Sequence, residues 1–184
     1  MPVANRPPNT TNLFFGLAFF SLSLVSLAVC LTGCGGHGGY SNESLFPQDV
    51  STVCIEMFDN RSFRRDVEYT LSDALVKRVA AQTPYKIVSD RNRADSVISG
   101  QLIRVDESIL TLEREIGRPL EQEVVLQAVV NWKNLQTGRL MINNQRVVAT
   151  ASYSEFLGQD FTYASAVAAN KLARKIVELM ENKW

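Results

Sequence analysis

The chain of 184 residues contains one histidine and three cysteines. So few imidazole and thiol groups leave little material for a zinc site. A Ser–His–Asp or Cys–His mechanism also needs a positioned histidine. The one histidine, His37, lies between two Gly-Gly pairs in a stretch typical of a flexible linker. We therefore expect no metal site, no cofactor and no enzymatic activity.

The chain also lacks an excess of charge of either sign, because its 19 Lys and Arg residues balance its 19 Asp and Glu residues. A protein that binds nucleic acid through phosphates normally carries a clear basic excess. We therefore expect no nucleic-acid partner. Apolar residues make up 46% of the chain, which is enough to form the core of one ordinary domain.

Charged side chains are missing from the whole segment between Arg6 and Glu43. Within it, the 19 residues 13–31 are mostly Leu, Phe, Ala, Val and Ser. A run of this length matches either the apolar part of a secretory signal or a membrane-spanning helix, which needs about 20 residues. An uncleaved membrane anchor is therefore the alternative to a cleaved signal peptide.

The residues that follow the apolar run favour cleavage. They read Leu31-Thr32-Gly33-Cys34, which resembles the bacterial lipobox. The resemblance implies cleavage before Cys34 and acylation, with palmitate among the chains, of its thiol and of the new amino terminus. We interpret residues 1–33 as a lipoprotein signal peptide and residues 34–49 as a flexible tether. Gly at the two positions after Cys34 favours, by resemblance to Gram-negative sorting rules, the periplasmic side of the outer membrane.

The remaining residues, 50–184, predict one α+β domain. Apolar residues recur at helical spacing over 66–82 and again over 162–181, which predicts two amphipathic helices. Alternating apolar residues predict strands, with turns between them. The predicted strands are 50–58, 85–88, 96–112, 124–135 and 140–153. We expect a two-layer sandwich in which both helices cover one face of a mostly antiparallel four-stranded sheet.

Three residues within the predicted strands have distinct expected roles. Gly100 interrupts a long strand and suggests a β-bulge. Trp132 alternates with polar neighbours, which places it in the core. Cys54 is the only cysteine that follows the predicted tether, and a lone cysteine in an apolar strand is usually a small core residue.

Three segments together resemble the LptE family of outer-membrane lipoproteins. They are Ile55–Asn60, Ala94–Leu102, and the strand Leu126–Trp132 with the Gln-Thr-Gly turn and returning strand after it. A lipobox in front adds to the likeness. The resemblance implies a protein that partners and plugs the β-barrel LptD, and that binds lipopolysaccharide during its assembly at the cell surface.

The first two of these segments also resemble LpoB and CsgG-like lipoproteins. That resemblance implies a different function, either activation of a peptidoglycan synthase or participation in secretion. The third segment and the long hairpins favour the LptE family, and the other function stays as the alternative.

A protein that binds lipopolysaccharide needs cations for its phosphates, and the arginine fork is well suited to them. The predicted loops place Arg91 and Arg93 before a long strand, while Lys133 and Arg139 flank a tight turn. These four are the candidate lipopolysaccharide-binding residues. Aromatic residues also surround the Gly-Gln-Asp sequence before the last helix, where they either staple that helix to the sheet or touch a partner barrel. They are Phe156, Phe161 and Tyr163.

Overall fold

The computed structural model describes residues 44–182, and the predicted signal peptide, Cys34 and most of the predicted tether lie outside this range. The domain is α+β, as the sequence predicts, with two helices and a mixed sheet. The strands are β1 (Thr52–Ile55), β2 (Asp59–Asn60), β3 (Lys86–Ile87), β4 (Ser96–Leu112), β5 (Pro119–Asn134) and β6 (Leu140–Tyr153). The helices are α1 (Val67–Gln82) and α2 (Phe161–Leu179).

The sheet differs from the predicted four-stranded, mostly antiparallel arrangement. It has six strands, in the order β3-β1-β4-β5-β6, with β2 also paired to β4. Only the β4–β5 and β5–β6 pairs are antiparallel, whereas β1, β2 and β3 pair in parallel. β1 and β3 are shorter than the predicted strands 50–58 and 85–88 that contain them, and the two-residue β2 was not predicted as a separate strand. Alternation within a strand does not indicate whether its neighbours run parallel or antiparallel. Because α1 carries the chain back between β1 and β3, these two strands run in the same direction.

Local sequence signals explain where α1 ends and where α2 begins. Pro84 follows α1 directly after Thr83, and a proline cannot continue a helix because it lacks the N–H group. At the start of α2, the side chain of Asp160 accepts a 2.7 Å hydrogen bond from the backbone N–H of Tyr163. This bond satisfies one of the free N–H groups of the first turn.

The core lies between the helices and one face of the sheet. Every second residue of the central strand β5 from Val124 to Trp132 is buried, and Trp132 is 1% exposed, as predicted. These side chains and the buried faces of α1 and α2 belong to one cluster. The other face of β5 carries polar and half-buried residues. One face of the sheet therefore packs against both helices, and the other face remains open.

The first described residues pack on the domain. Phe46 is buried against Tyr85, with ring centroids 6.0 Å apart. The Tyr85 hydroxyl donates to the Pro47 carbonyl, and Asn182 donates to the Leu45 carbonyl. Residues 44–49, which the sequence assigns to the tether, are thus held beside β3 and the end of α2, because an apolar side chain follows the glycine-rich stretch. The rest of the predicted tether lies outside the described residues.

Gly100 does not form the expected bulge. The register of β4 with β5 shifts at other places, between Leu102 and Arg104 and again between Ile109 and Leu112. A methyl group added at Gly100 would lie 2.5 Å from the Phe58 ring and 2.6 Å from the Val129 carbonyl oxygen. Glycine is therefore required at this position because the ring and a backbone atom both approach it closely.

We predict that Gly100→Ala destabilises the domain by about 1–3 kcal/mol, since the backbone of β5 cannot yield as a flexible side chain would. Urea denaturation followed by circular dichroism measures the change. Ser99→Ala, one position along β4 and on the open face, is the control and should be close to neutral. Equal stability of the two variants would contradict the close-packing explanation.

Candidate functional site

A cleft of about 460 Å³ lies at the end of the sheet where β4 begins. One wall is a single 3-10 turn at Arg91–Arg93 with the two residues after it, and the other wall is Leu135 and Gln136 from the β5–β6 turn. The chain brings the walls together because β4 and β5 are antiparallel, so the start of one lies beside the end of the other. Ser96 pairs with Asn134 at this edge.

Asn134 builds the turn that forms the second wall. Its side-chain oxygen accepts hydrogen bonds of 2.9 Å from the backbone N–H groups of both Gln136 and Thr137. Gly138 then adopts a φ of +74°, which glycine allows at little cost, and donates to the Asn134 carbonyl. Asn134 is 1% exposed, and these bonds satisfy a polar group that would otherwise be buried without partners.

Asp95 connects the cleft walls to β1. One carboxylate oxygen accepts from the backbone N–H groups of Ser51 and Thr52 and from the Thr52 hydroxyl, at 3.0, 2.9 and 2.8 Å. The other oxygen accepts from the Gln136 side chain at 2.7 Å, and the Asp95 carbonyl accepts from the Leu135 N–H. One residue thus fixes β1, β4 and the β5–β6 turn relative to each other.

These hydrogen bonds also set the charge of Asp95. The Thr52 hydroxyl, followed by the two backbone N–H groups and Gln136, stabilises the carboxylate and lowers the pKa of Asp95 below its ordinary value. The side chain is therefore an anion at neutral pH. The sequence analysis did not single out Asp95 as a site residue, although it stands in the Ala-Asp-Ser-Val-Ile segment that carries the family resemblance.

The four predicted lipopolysaccharide-binding residues fall at this end of the sheet, but their surroundings differ. Arg91 lines the cleft and pairs with Glu56, while Arg139 is directed to Asp49, 3.5 Å away. Arg93 lines the cleft, and Lys133 lies opposite Val97 on the open face of β5. Within residues 44–182, Arg93 and Lys133 have no carboxylate within ion-pair distance. Of the four candidates, these two cations are therefore available to bind an external anion.

The remaining chemistry of this end is limited. Cys54 is buried on β1, its Sγ lies 3.8 Å from the Ser89 carbonyl, and burial together with nearby Glu56 raises the pKa of the thiol. A protonated, buried thiol is a poor nucleophile. Residues 44–182 contain no cluster of histidine, cysteine and carboxylate side chains that could hold a metal ion. The geometry suits the binding of a phosphate group by exposed cations.

The sequence profile of the LptE family, described as lipopolysaccharide-assembly, matches residues 50–183. The match covers the described domain, with its six-stranded sheet and two helices. The chain belongs to the LptE family, which confirms the first of the two resemblances found in the sequence. No curated protein sequence matches the chain closely enough to add to this.

Solved structures share the fold at low sequence identity. A hypothetical protein from Chlamydia trachomatis aligns with a TM-score of 0.51 and 8% identity over 70% of this chain and 94% of its own. Lipoprotein B, an uncharacterized protein from Nitrosomonas europaea, aligns with a TM-score of 0.50 and 15% identity over 72% of this chain and 82% of its own. At such identities the likeness concerns the fold alone.

We predict that Asp95→Asn lowers the free energy of unfolding by about 1 kcal/mol at pH 7, because several partly exposed donors lose a charged acceptor. The pKa of Asp95 is lower in the folded state than the unfolded value of about 3.9, so its contribution is complete at neutral pH. That contribution is lost as the pH falls through the folded-state pKa.

The difference between wild type and Asp95→Asn in urea denaturation should therefore shrink from pH 7 to pH 3. Asp73→Asn removes an exposed carboxylate that pairs only with Lys77 on α1, and serves as the control. A difference that is the same at both pH values would show that the carboxylate charge of Asp95 does not contribute.

Proposed function

We propose that this protein is an outer-membrane lipoprotein that partners and plugs an LptD-type β-barrel and binds lipopolysaccharide during its assembly. The observation that carries the proposal is a pair of candidate cations at one end of an LptE-family domain, Arg93 in the cleft and Lys133 near the end of β5, neither of which has a carboxylate within ion-pair distance in residues 44–182. Arginine and lysine at such positions bind the phosphates of lipid A or of the core sugars. The protein performs no chemical step in this role.

The predicted anchor is consistent with this placement. Ser44, the first described residue, lies beside Asn182, at the same end of the domain as the cleft. A lipidated Cys34 only ten residues earlier would hold this end close to the periplasmic surface of the membrane. Neither helix within residues 44–182 is long and apolar enough to span a membrane. In this proposal the acyl chains of Cys34 attach the protein to the membrane.

Crosslinked affinity purification of the full-length protein from its native envelope tests the proposal. We expect an LptD-type barrel in near-equal amount, identified by mass spectrometry, together with lipopolysaccharide. Recovery of a peptidoglycan synthase or a secretion channel in place of the barrel would reject the proposal and support the alternative resemblance to LpoB and CsgG-like lipoproteins.

The same purification tests the cations. Arg93→Ala combined with Lys133→Ala should retain the barrel but lose about 90% of the lipopolysaccharide, since a tenfold loss of affinity corresponds to only about 1.4 kcal/mol. Lys77→Ala combined with Arg174→Ala is the control, because it removes the same number of charges from helix surfaces. Equal loss of lipopolysaccharide in both double variants would indicate a general charge effect.

We further predict that Cys34→Ser abolishes acylation, because serine cannot form the thioether to diacylglycerol. Metabolic labelling with palmitate and intact mass measure the result, and the variant should appear as uncleaved precursor. Cys30→Ser is the matched control, four residues earlier in the apolar run, and should remain labelled. Labelled Cys34→Ser would contradict the lipobox assignment.

A further inference from the structure

The long β4–β5 hairpin extends beyond the rest of the sheet. The last residue of β6, Tyr153, pairs with Gln122, which in turn pairs with Ile109. On the other side, β4 has its last parallel partner at Leu102. Beyond the Ile109–Gln122 pair, toward the hairpin turn, β4 and β5 therefore pair only with each other within the described residues. These residues, 109–122, are called the arm below.

The arm exposes large apolar side chains. Four of them are 52–66% exposed, and two more extend the surface on the neighbouring 3-10 turn at Glu155–Leu157. In chain order they are Ile109, Leu110, Leu112, Ile116, Phe156 and Leu157. Large exposed apolar side chains gathered at one end of a domain are typical of interaction sites. An isolated two-stranded hairpin is also only marginally stable in water, so a partner would stabilise the arm.

The 3-10 turn shapes this surface. The guanidinium of Arg118 lies 4.1 Å from the centre of the Phe156 ring and pairs with Glu113 at 3.1 Å. Ser154 donates to the Leu120 carbonyl at 2.7 Å. A cleft of about 520 Å³ opens between the arm and the turn, with Leu120 and Leu157 among its lining residues. The cleft is large enough to accept side chains of a partner.

Charge indicates what kind of partner fits. The arm and the adjoining 3-10 turn together carry four glutamates and two arginines. A surface dense in lipid phosphates would be repelled by this acidic excess, and one of the two arginines is already paired with a glutamate. A protein surface that is apolar and surrounded by basic side chains is complementary to it.

We propose that the arm and the adjoining 3-10 turn form a protein-docking surface that inserts its apolar residues into an apolar pocket with a basic rim. This inference rests on the proposed function, under which the partner is the LptD-type barrel. The arm contacts protein while the cleft at the opposite end binds the phosphates. The two kinds of ligand thus bind at separate ends of the domain.

The test compares full-length variants in affinity purification from the native envelope. Leu112→Asp combined with Ile116→Asp should lower the amount of copurified barrel at least tenfold while lipopolysaccharide affinity stays unchanged. Both side chains are exposed, so the melting temperature should stay within error of wild type. Tyr69→Asp is the control, since Tyr69 is a large apolar side chain on α1, 58% exposed, outside both the arm and the cleft.

A photocrosslinking residue in place of Ile116 identifies the occupant directly. An adduct with the barrel from position 116, and none from position 69, supports the proposal. An adduct with lipopolysaccharide from position 116, or equal barrel recovery in all variants, overturns the docking surface and leaves the proposed function intact. Failure of the wild-type chain to retain any barrel rejects the proposed function, and the arm then loses its assigned partner.

Discussion

The burial of one face of β5 is the constraint on which the rest of the domain depends. Its side chains from Val124 to Trp132 alternate between the core and the open face, and β5 lies between the two other long strands. Both helices must bury their apolar faces, and this side of the sheet is the apolar surface available to them. A shift of one residue in the register of β5 would exchange its two faces. The same register fixes which turn residues meet at the cleft and how far the arm extends.

The long elements could be predicted from the sequence because each contains enough residues to show its period. The bounds of β4 and β6 agree with the prediction, and those of the helices agree within about two residues. β1 and β3 fall within the predicted strands 50–58 and 85–88, whereas β2 as a separate strand and the parallel pairing could not be predicted, since alternation within one strand does not specify its neighbours. The predicted bulge at Gly100 was wrong, because the local sequence does not show which residues pack against it. Glycine in a strand indicates a special position, but only the approach of Phe58 shows that the cause is crowding.

Sequence reasoning located the candidate site by residue type, but it could not distinguish its members. Arg91, Arg93, Lys133 and Arg139 have the same chemistry, and only the folded chain shows that Glu56 and Asp49 neutralise two of them. Asp95 was missed because an aspartate before a strand is typical of a loop. Its donors come from residues more than 40 positions away in sequence, which local patterns do not reveal.

The distribution of charge along the sheet relates these parts to one another. Arg93 and Lys133, the two candidate cations without a carboxylate partner in residues 44–182, lie at the end where β4 begins, whereas the exposed aliphatic side chains of the arm lie among glutamates at the other end. Phosphate binding needs partly exposed cations, because a lipid headgroup must reach them and leave again, whereas docking on a protein needs apolar contact area that stays buried. If both ligands bound one surface, each would compete with the other. Under the proposed function, a sheet about 45 Å long would separate the two ligands and would let one anchored domain bind both.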